Sequence, residues 1–219
     1  MNKIVKDTLI LFAITLVAGV LLGFVYKVTE GPIAEQNEKI KLAAYNALFD
    51  TLDSYEVLSD DVLSTAQNIV DSKYSGVTVD EIVTAMDSNG SLLGYIIGIT
   101  DAEGYGGDIS FSVGISIDGA ITGLEILSIS ETAGLGMKAK EESFRSQYIG
   151  ISEFPITYSK TGKSASNEID ALSGATITTK AITGGVNAAG SVYEYISSGQ
   201  ADDQTITLDS EAKGGDLDE

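Results

Sequence analysis

Residues 77–129, VTVDEIVTAMDSNGSLLGYIIGITDAEGYGGDISFSVGISIDGAITGLEILSI, decide the fold. Val77 to Met86 and Ser91 to Thr100 are rich in Val, Ile, Leu and Thr, and they flank Asp87-Ser88-Asn89-Gly90, a tight-turn sequence. Ile109 to Ile117 and Ile121 to Ile129 repeat the arrangement around Asp118-Gly119. Two consecutive hairpins predict an antiparallel sheet. Downstream, Ala139 to Ile149 and Thr179 to Ile196 have helical spacing, the second with Ala and Gly along one face. Strands followed by helices give an α+β domain.

Upstream, Thr8 to Tyr26 reads TLILFAITLVAGVLLGFVY without a charge, the length that crosses about 30 Å of hydrocarbon as a helix. Lys3 and Lys6 precede it, whereas Lys27 is soon followed by Glu30 and Glu35. That asymmetry predicts a single-pass anchor in the cell (inner) membrane, with residues 1–7 cytoplasmic and the bulk extracytoplasmic. A cleaved signal peptide is the other reading, but the apolar run is long for one and no small-x-small site follows closely. Gly31-Pro32 is expected to break the helix. Ile33 to Phe49 then forms a second helix, a stalk or docking element, and Ser59 caps a short helix from about Asp60 to Ile69. Residues 27–199 form the outer domain. Residues 200–219, acidic and poor in apolar side chains, read as a disordered solvating tail.

Thirty-two acidic against 13 basic residues give a net charge of -19, which argues against a nucleic-acid surface and against peripheral binding to anionic lipid. No Cys means no disulfide, thiolate nucleophile or iron–sulfur cluster. No His removes the usual general base, haem ligand and zinc ligand. Any chemistry therefore runs through carboxylates, hydroxyls or a bound organic cofactor. No catalytic side chain and no metal ligand set is nominated.

Three glycine-containing segments lie where strands end, where backbone can approach a ligand. In Gly104-Tyr105-Gly106-Gly107, small residues permit close approach and Tyr105 can cover an aromatic ring; an ordinary interstrand loop has the same composition. In Glu131-Thr132-Ala133-Gly134-Leu135-Gly136, amide donors flank an apolar contact, and from composition alone a plain turn is the stronger reading. The third, Asp170-Ala171-Leu172-Ser173-Gly174-Ala175-Thr176-Ile177-Thr178-Thr179, runs into the last helix. Hydroxyls and Gly before a helix N-terminus make either a phosphate site or a simple Ser/Thr cap.

At these residues the chain resembles a known family, the FMN-binding domain of the G subunit of Rnf electron-transport complexes, related to the C subunit of the sodium-pumping NADH:quinone reductase. The resemblance covers nearly the whole chain. Asp170, Ser173, Gly174, Ala175 and Thr176 occupy every fixed position of the family's flavinylation pattern. The Glu131 segment resembles its Glu-Thr-Pro-Gly-Leu-Gly loop, with Ala133 where Pro is usual. Gly104 to Gly107 resembles its Gly-Tyr-x-Gly segment, and Lys27, Thr29 and Pro32 fit the continuation of the anchor.

The resemblance implies that Thr176 carries FMN through a phosphoester, installed from FAD by a flavin transferase that requires Asp170. It implies that Glu131, Thr132, Gly134, Leu135, Gly136, Tyr105, Gly106 and Gly107 hold the ring, and that Ser173, Gly174, Ala175, Thr178 and Thr179 surround the attachment point. The function implied is electron relay among membrane and iron–sulfur or flavin subunits of a ferredoxin:NAD+ oxidoreductase coupled to Na+ or H+ transport. The quinone-reductase C subunit is the near alternative, and the short outer domain favours Rnf. A surface-anchored binding module without flavin, and a stand-alone flavin reductase, are the rivals of other classes.

Overall fold

The computed structural model describes residues 3–199. The expected tail at 200–219 lies outside the described residues. The chain divides into two compact units, one ending at Ala43 and one beginning at Ala44.

The first unit is helix. α1 runs unbroken over Lys3–Leu48, with Pro32 inside it, and is long and apolar enough to cross a membrane. The break expected at Gly31-Pro32 is absent. Pro removes an intrahelical hydrogen bond, a cost of about 3 kcal/mol. Helix-forming runs on both sides carry the helix past it. Around the proline, Thr29 Oγ1 donates to Val25 O at 2.9 Å, and the ammonium of Lys27 lies 3.2 Å from Glu30.

In the second unit, β1 (Ser54–Val57), β2 (Val77–Met86), β3 (Leu92–Asp101), β4 (Ile109–Ser116) and β5 (Ile121–Ser128) form an antiparallel meander in chain order. The expected hairpins are β2–β3 and β4–β5. Asp87 Oδ1 accepts the amides of Asn89 and Ser91, closing the first turn, and Gly119 supplies the left-handed residue of the second at φ 82°.

α2 (Asp60–Asp71) and α4 (Thr176–Ser197) cover one face of the sheet. Val62, Ala66 and Val70 of α2 and Ile182, Val186 and Ala189 of α4 share a core with Val79, Ile97, Ile99, Phe111 and Val113. α4 comes close because Gly185 has no side chain: a Cβ there would sit 2.6 Å from Phe111. The other face takes the end of α1, where Tyr45, Leu48 and Phe49 pack on Val83, Ala85 and Ile96. A Cβ on Gly123 would meet Leu48 at 2.9 Å, so glycine makes that approach possible. With both faces covered, Ile96 and Ile97 are both buried, and strict alternation gives way to a continuous apolar run.

Ser59 occupies the N-cap of α2, but its side chain makes no capping bond and its buried hydroxyl has no partner. The helix expected over Ala139 to Ile149 is instead a 3-10 turn (Gly136–Lys140), the short α3 (Glu142–Arg145) and a second 3-10 turn (Ser146–Tyr148). Burial explains the fragmentation, because Ala139, Phe144 and Tyr148 each enter the core and one straight helix would not aim all three. β6 (Thr157–Ser159) and β7 (Glu168–Asp170) form a small parallel pair that leads into α4.

Candidate functional site: three loops at the start of α4

The meander brings the nominated loops to one end of the sheet. Asp101 pairs with Ile109 across β3–β4, and Ser110 with Ser128 across β4–β5. The loops after β3 and β5 therefore leave from the same end. They are joined there: Tyr105 N donates to Glu131 Oε1 at 2.8 Å. Gly106 lies against the backbone of the second loop, where a Cβ would come within 2.2 Å of Ser130 O. Any side chain at Gly106 would separate the two.

The third segment closes on the second. A Cβ on Gly136 would lie 2.6 Å from Thr178 Oγ1 and 2.7 Å from Glu131 Oε2, so Gly136 is the spacer that lets Glu131 and α4 meet. The side chain of Leu135 reaches to 3.1 Å from where a Cβ on Gly174 would stand. The three segments thus adjoin one another, and Thr176 is the first residue of α4. The helix starts three residues earlier than the spacing suggested, because the hydrogen-bonded turn before it carries the helical start upstream of Thr179.

That turn is held from inside. Ala175 N donates to Leu172 O at 3.0 Å, with Gly174 at φ 75°, the conformation glycine adopts most readily. Thr179 Oγ1 accepts Leu172 N and donates to Ala175 O, both at 3.0 Å, and is fully buried. Its hydroxyl is committed to the loop. Thr178 is buried too, against Gly136. Thr176 is half-buried, and Ser173 and Gly174 are exposed. Asp170 ends β7 and accepts Lys163 N at 2.5 Å, tying the preceding loop to the motif. Thr132, Gly134 and Gly107 line the exposed side of their loops.

Two properties of the site are chemical. First, no side chain caps α4, so the positive end of its dipole at Thr176 meets no side-chain acceptor. Ala175 holds the cap position, so no Ser or Thr side chain caps the helix. Second, Tyr105, Ile177 and Leu135 are 71%, 50% and 42% exposed, so each of the three segments presents a large apolar side chain to solvent. Among the described residues no group of acids could hold a metal ion. A phosphate at Thr176 with a flat apolar ring attached fits this arrangement.

Sequence reasoning passed over the charges behind the site. Lys180, one turn after Thr176, lies 2.8 Å from Glu103 Oε2, and Asp101 is buried beneath them with Oδ1 accepting Glu103 N at 2.7 Å. The Thr176 to Lys180 spacing was a legible signal; the pairing with Glu103 was not, since it joins residues far apart in the chain.

The fold and site define an FMN-binding domain that follows a membrane-length helix. The FMN-binding domain family matches residues 104–191, and the RnfG N-terminal region matches residues 1–48. The G subunit of the Na+-translocating ferredoxin:NAD+ oxidoreductase complex of Acetobacterium woodii is 36% identical, with 88% of this chain and 92% of that one covered. The G subunit of the proton-translocating complex of Clostridium ljungdahlii is 30% identical, over 84% and 92%. The chain belongs to the family of G subunits of ion-translocating ferredoxin:NAD+ oxidoreductase complexes. Its fold is also that of the C subunit of the Na+-translocating NADH-quinone reductase of Parabacteroides distasonis, with a TM-score of 0.51 and 17% identity over 75% of this chain and 94% of that one.

Proposed function

We propose that this chain is a membrane-anchored flavoprotein subunit that carries FMN covalently on Thr176 and relays electrons within an ion-translocating ferredoxin:NAD+ oxidoreductase complex. The observation that carries the reading is Thr176 at the uncapped start of α4, between Gly174, which lies against Leu135, and Thr178, which lies against Gly136. FMN supplies one- and two-electron chemistry that a chain without Cys or His lacks.

The protein's own part is to hold and orient. Thr176 Oγ forms the phosphoester: a flavin transferase delivers the FMN phosphoryl of FAD, AMP leaves, and the hydroxyl proton is lost. The first-turn amides of α4 stabilise the phosphate charge. Glu131 fixes the Tyr105 loop through its amide, and Gly106, Gly136 and Gly174 keep the loops close enough for Tyr105 and Leu135 to flank a ring. Residues 8–26 span the membrane with residues 1–7 cytoplasmic, so 27–199 is extracytoplasmic, where a covalent tether prevents loss of the cofactor. The partners are the other subunits of the complex.

Co-expression of the full chain with a flavin transferase, followed by denaturing electrophoresis, tests this. A fluorescent band lost in Thr176→Val and retained in Thr178→Val is expected. A band that survives Thr176→Val moves the attachment elsewhere, and no band from competent cells defeats the flavoprotein reading.

A further inference from the structure

α4 carries one basic residue, Lys180, and its one acid, Glu194, lies toward the other end. Lys180 follows Thr176 by four positions, so the two side chains share a face one turn apart. Its ammonium contacts Glu103, the residue before Gly104 at the base of the Tyr105 loop. Glu103 is fixed from two further directions: Ser75 Oγ donates to its Oε1 at 2.7 Å, and its amide donates to Asp101 Oδ1. Lys180 is the movable half. Its side chain is 64% exposed, so its ammonium can swing without displacing a packed side chain.

We propose that Lys180 sets the charge of the flavin site: its ammonium is shared between Glu103 and the phosphodiester on Thr176, and that sharing tunes the reduction potential of the flavin. The inference rests on Thr176 being the attachment residue. A phosphodiester keeps one negative charge, and an ammonium beside it favours whichever redox form of the site is more negative. A carboxylate that ties the same ammonium down weakens the effect. Lys180 thus acts on the cofactor's phosphate directly, and Glu103 is the positioning residue that acts through it.

The two halves of the ion pair make the test. Full chains are co-expressed with the transferase, intact mass establishes FMN on each, and the midpoint potential is read by spectroelectrochemistry. Lys180→Met is expected to lower the potential by about 30 mV, a tenfold change in a two-electron equilibrium. Glu103→Gln is expected to raise it, Lys180→Arg to restore it, and both shifts to shrink in high salt. A purely structural latch predicts the same direction from Lys180→Met and Glu103→Gln, because both break one bond. Shifts in one direction, or unmoved potentials on flavin-bearing chains, overturn the proposal. Should Lys180→Met fail to fold or accept flavin, Glu103→Gln decides alone: a rise supports it, and any other result overturns it. A parent chain without the FMN mass increment defeats the attachment reading and this inference with it.

Discussion

Tyr105 and Glu131 are joined by a backbone amide and a buried carboxylate, 2.8 Å apart, across 26 residues of sequence. That bond holds one glycine loop onto another and so shapes a wall of the proposed flavin site. A hydrogen bond to a charged acceptor is worth about 1.5–3 kcal/mol. Glu131→Ala is therefore expected to destabilise the domain by about that amount and to accelerate amide hydrogen exchange at Tyr105 before exchange rises elsewhere. Glu131→Gln keeps a carbonyl acceptor and should retain most of the protection. Equal protection of Tyr105 in parent and alanine variant would remove Glu131 from this role.

Gly136 separates Glu131 from Thr178, and a single methyl group there has no room. Gly136→Ala should cost about 1–3 kcal/mol through overpacking and cut flavin incorporation several-fold. Gly134 is the internal comparison: its φ of 77° makes alanine strained, yet nothing lies within 4 Å of the added Cβ. Gly134→Ala should cost about 1–2 kcal/mol and leave incorporation less affected. Flavin fluorescence per chain, normalised to folded protein, separates steric closure of the site from backbone strain.

Thr179 supports the turn before α4 with a hydroxyl that is fully buried. Thr179→Val removes an oxygen that serves both Leu172 N and Ala175 O and strands a part-buried amide, a loss of about 1–3 kcal/mol. Denaturant unfolding should register that loss, flavinylation should slow, and Thr179→Ser should recover both. Normal flavinylation in the valine variant would show that the turn holds without this hydroxyl.

The parts legible in the sequence were those whose signal is local. Asp87 to Gly90 and Asp118-Gly119 specify turns through their own side chains and backbone, so the meander follows from them. The Asp170 to Thr176 motif and both glycine loops are each legible individually; antiparallel topology brings the two loops to one end of the sheet, and the start of α4 packs the motif against the second of them. Pro32 misled because it reports a missing hydrogen bond, whereas helix persistence depends on the residues either side. β1, β6 and β7 are too short to display a period. The Lys180–Glu103–Asp101 group was hidden for a different reason: each member looks like an ordinary surface charge until β3 and α4 are packed together.

Asp101 makes that packing pH-dependent. Its side chain is 3% exposed at the end of β3, 3.7 Å from where a Cβ on Gly184 of α4 would stand. Burial raises its carboxyl to about 6, opposed by the Glu103 amide, with the charge of Glu103 adding to the rise and that of Lys180 subtracting from it. Between about pH 4 and this value the folded chain keeps a proton that the unfolded chain has released, so this group's contribution to stability falls as pH rises through the window. Asp101→Asn keeps a carbonyl for the Glu103 amide and removes the buried charge. Above pH 6 the variant should therefore be the more stable protein, by about 1 kcal/mol once solvent screening is allowed for. That advantage should vanish below about pH 4, where Asp101 is protonated in both states. Urea titrations of the detergent-solubilised full chain at several pH values check the sign, and parallel curves for parent and variant would mean that Asp101 holds its proton no more tightly in the folded chain than in the unfolded one.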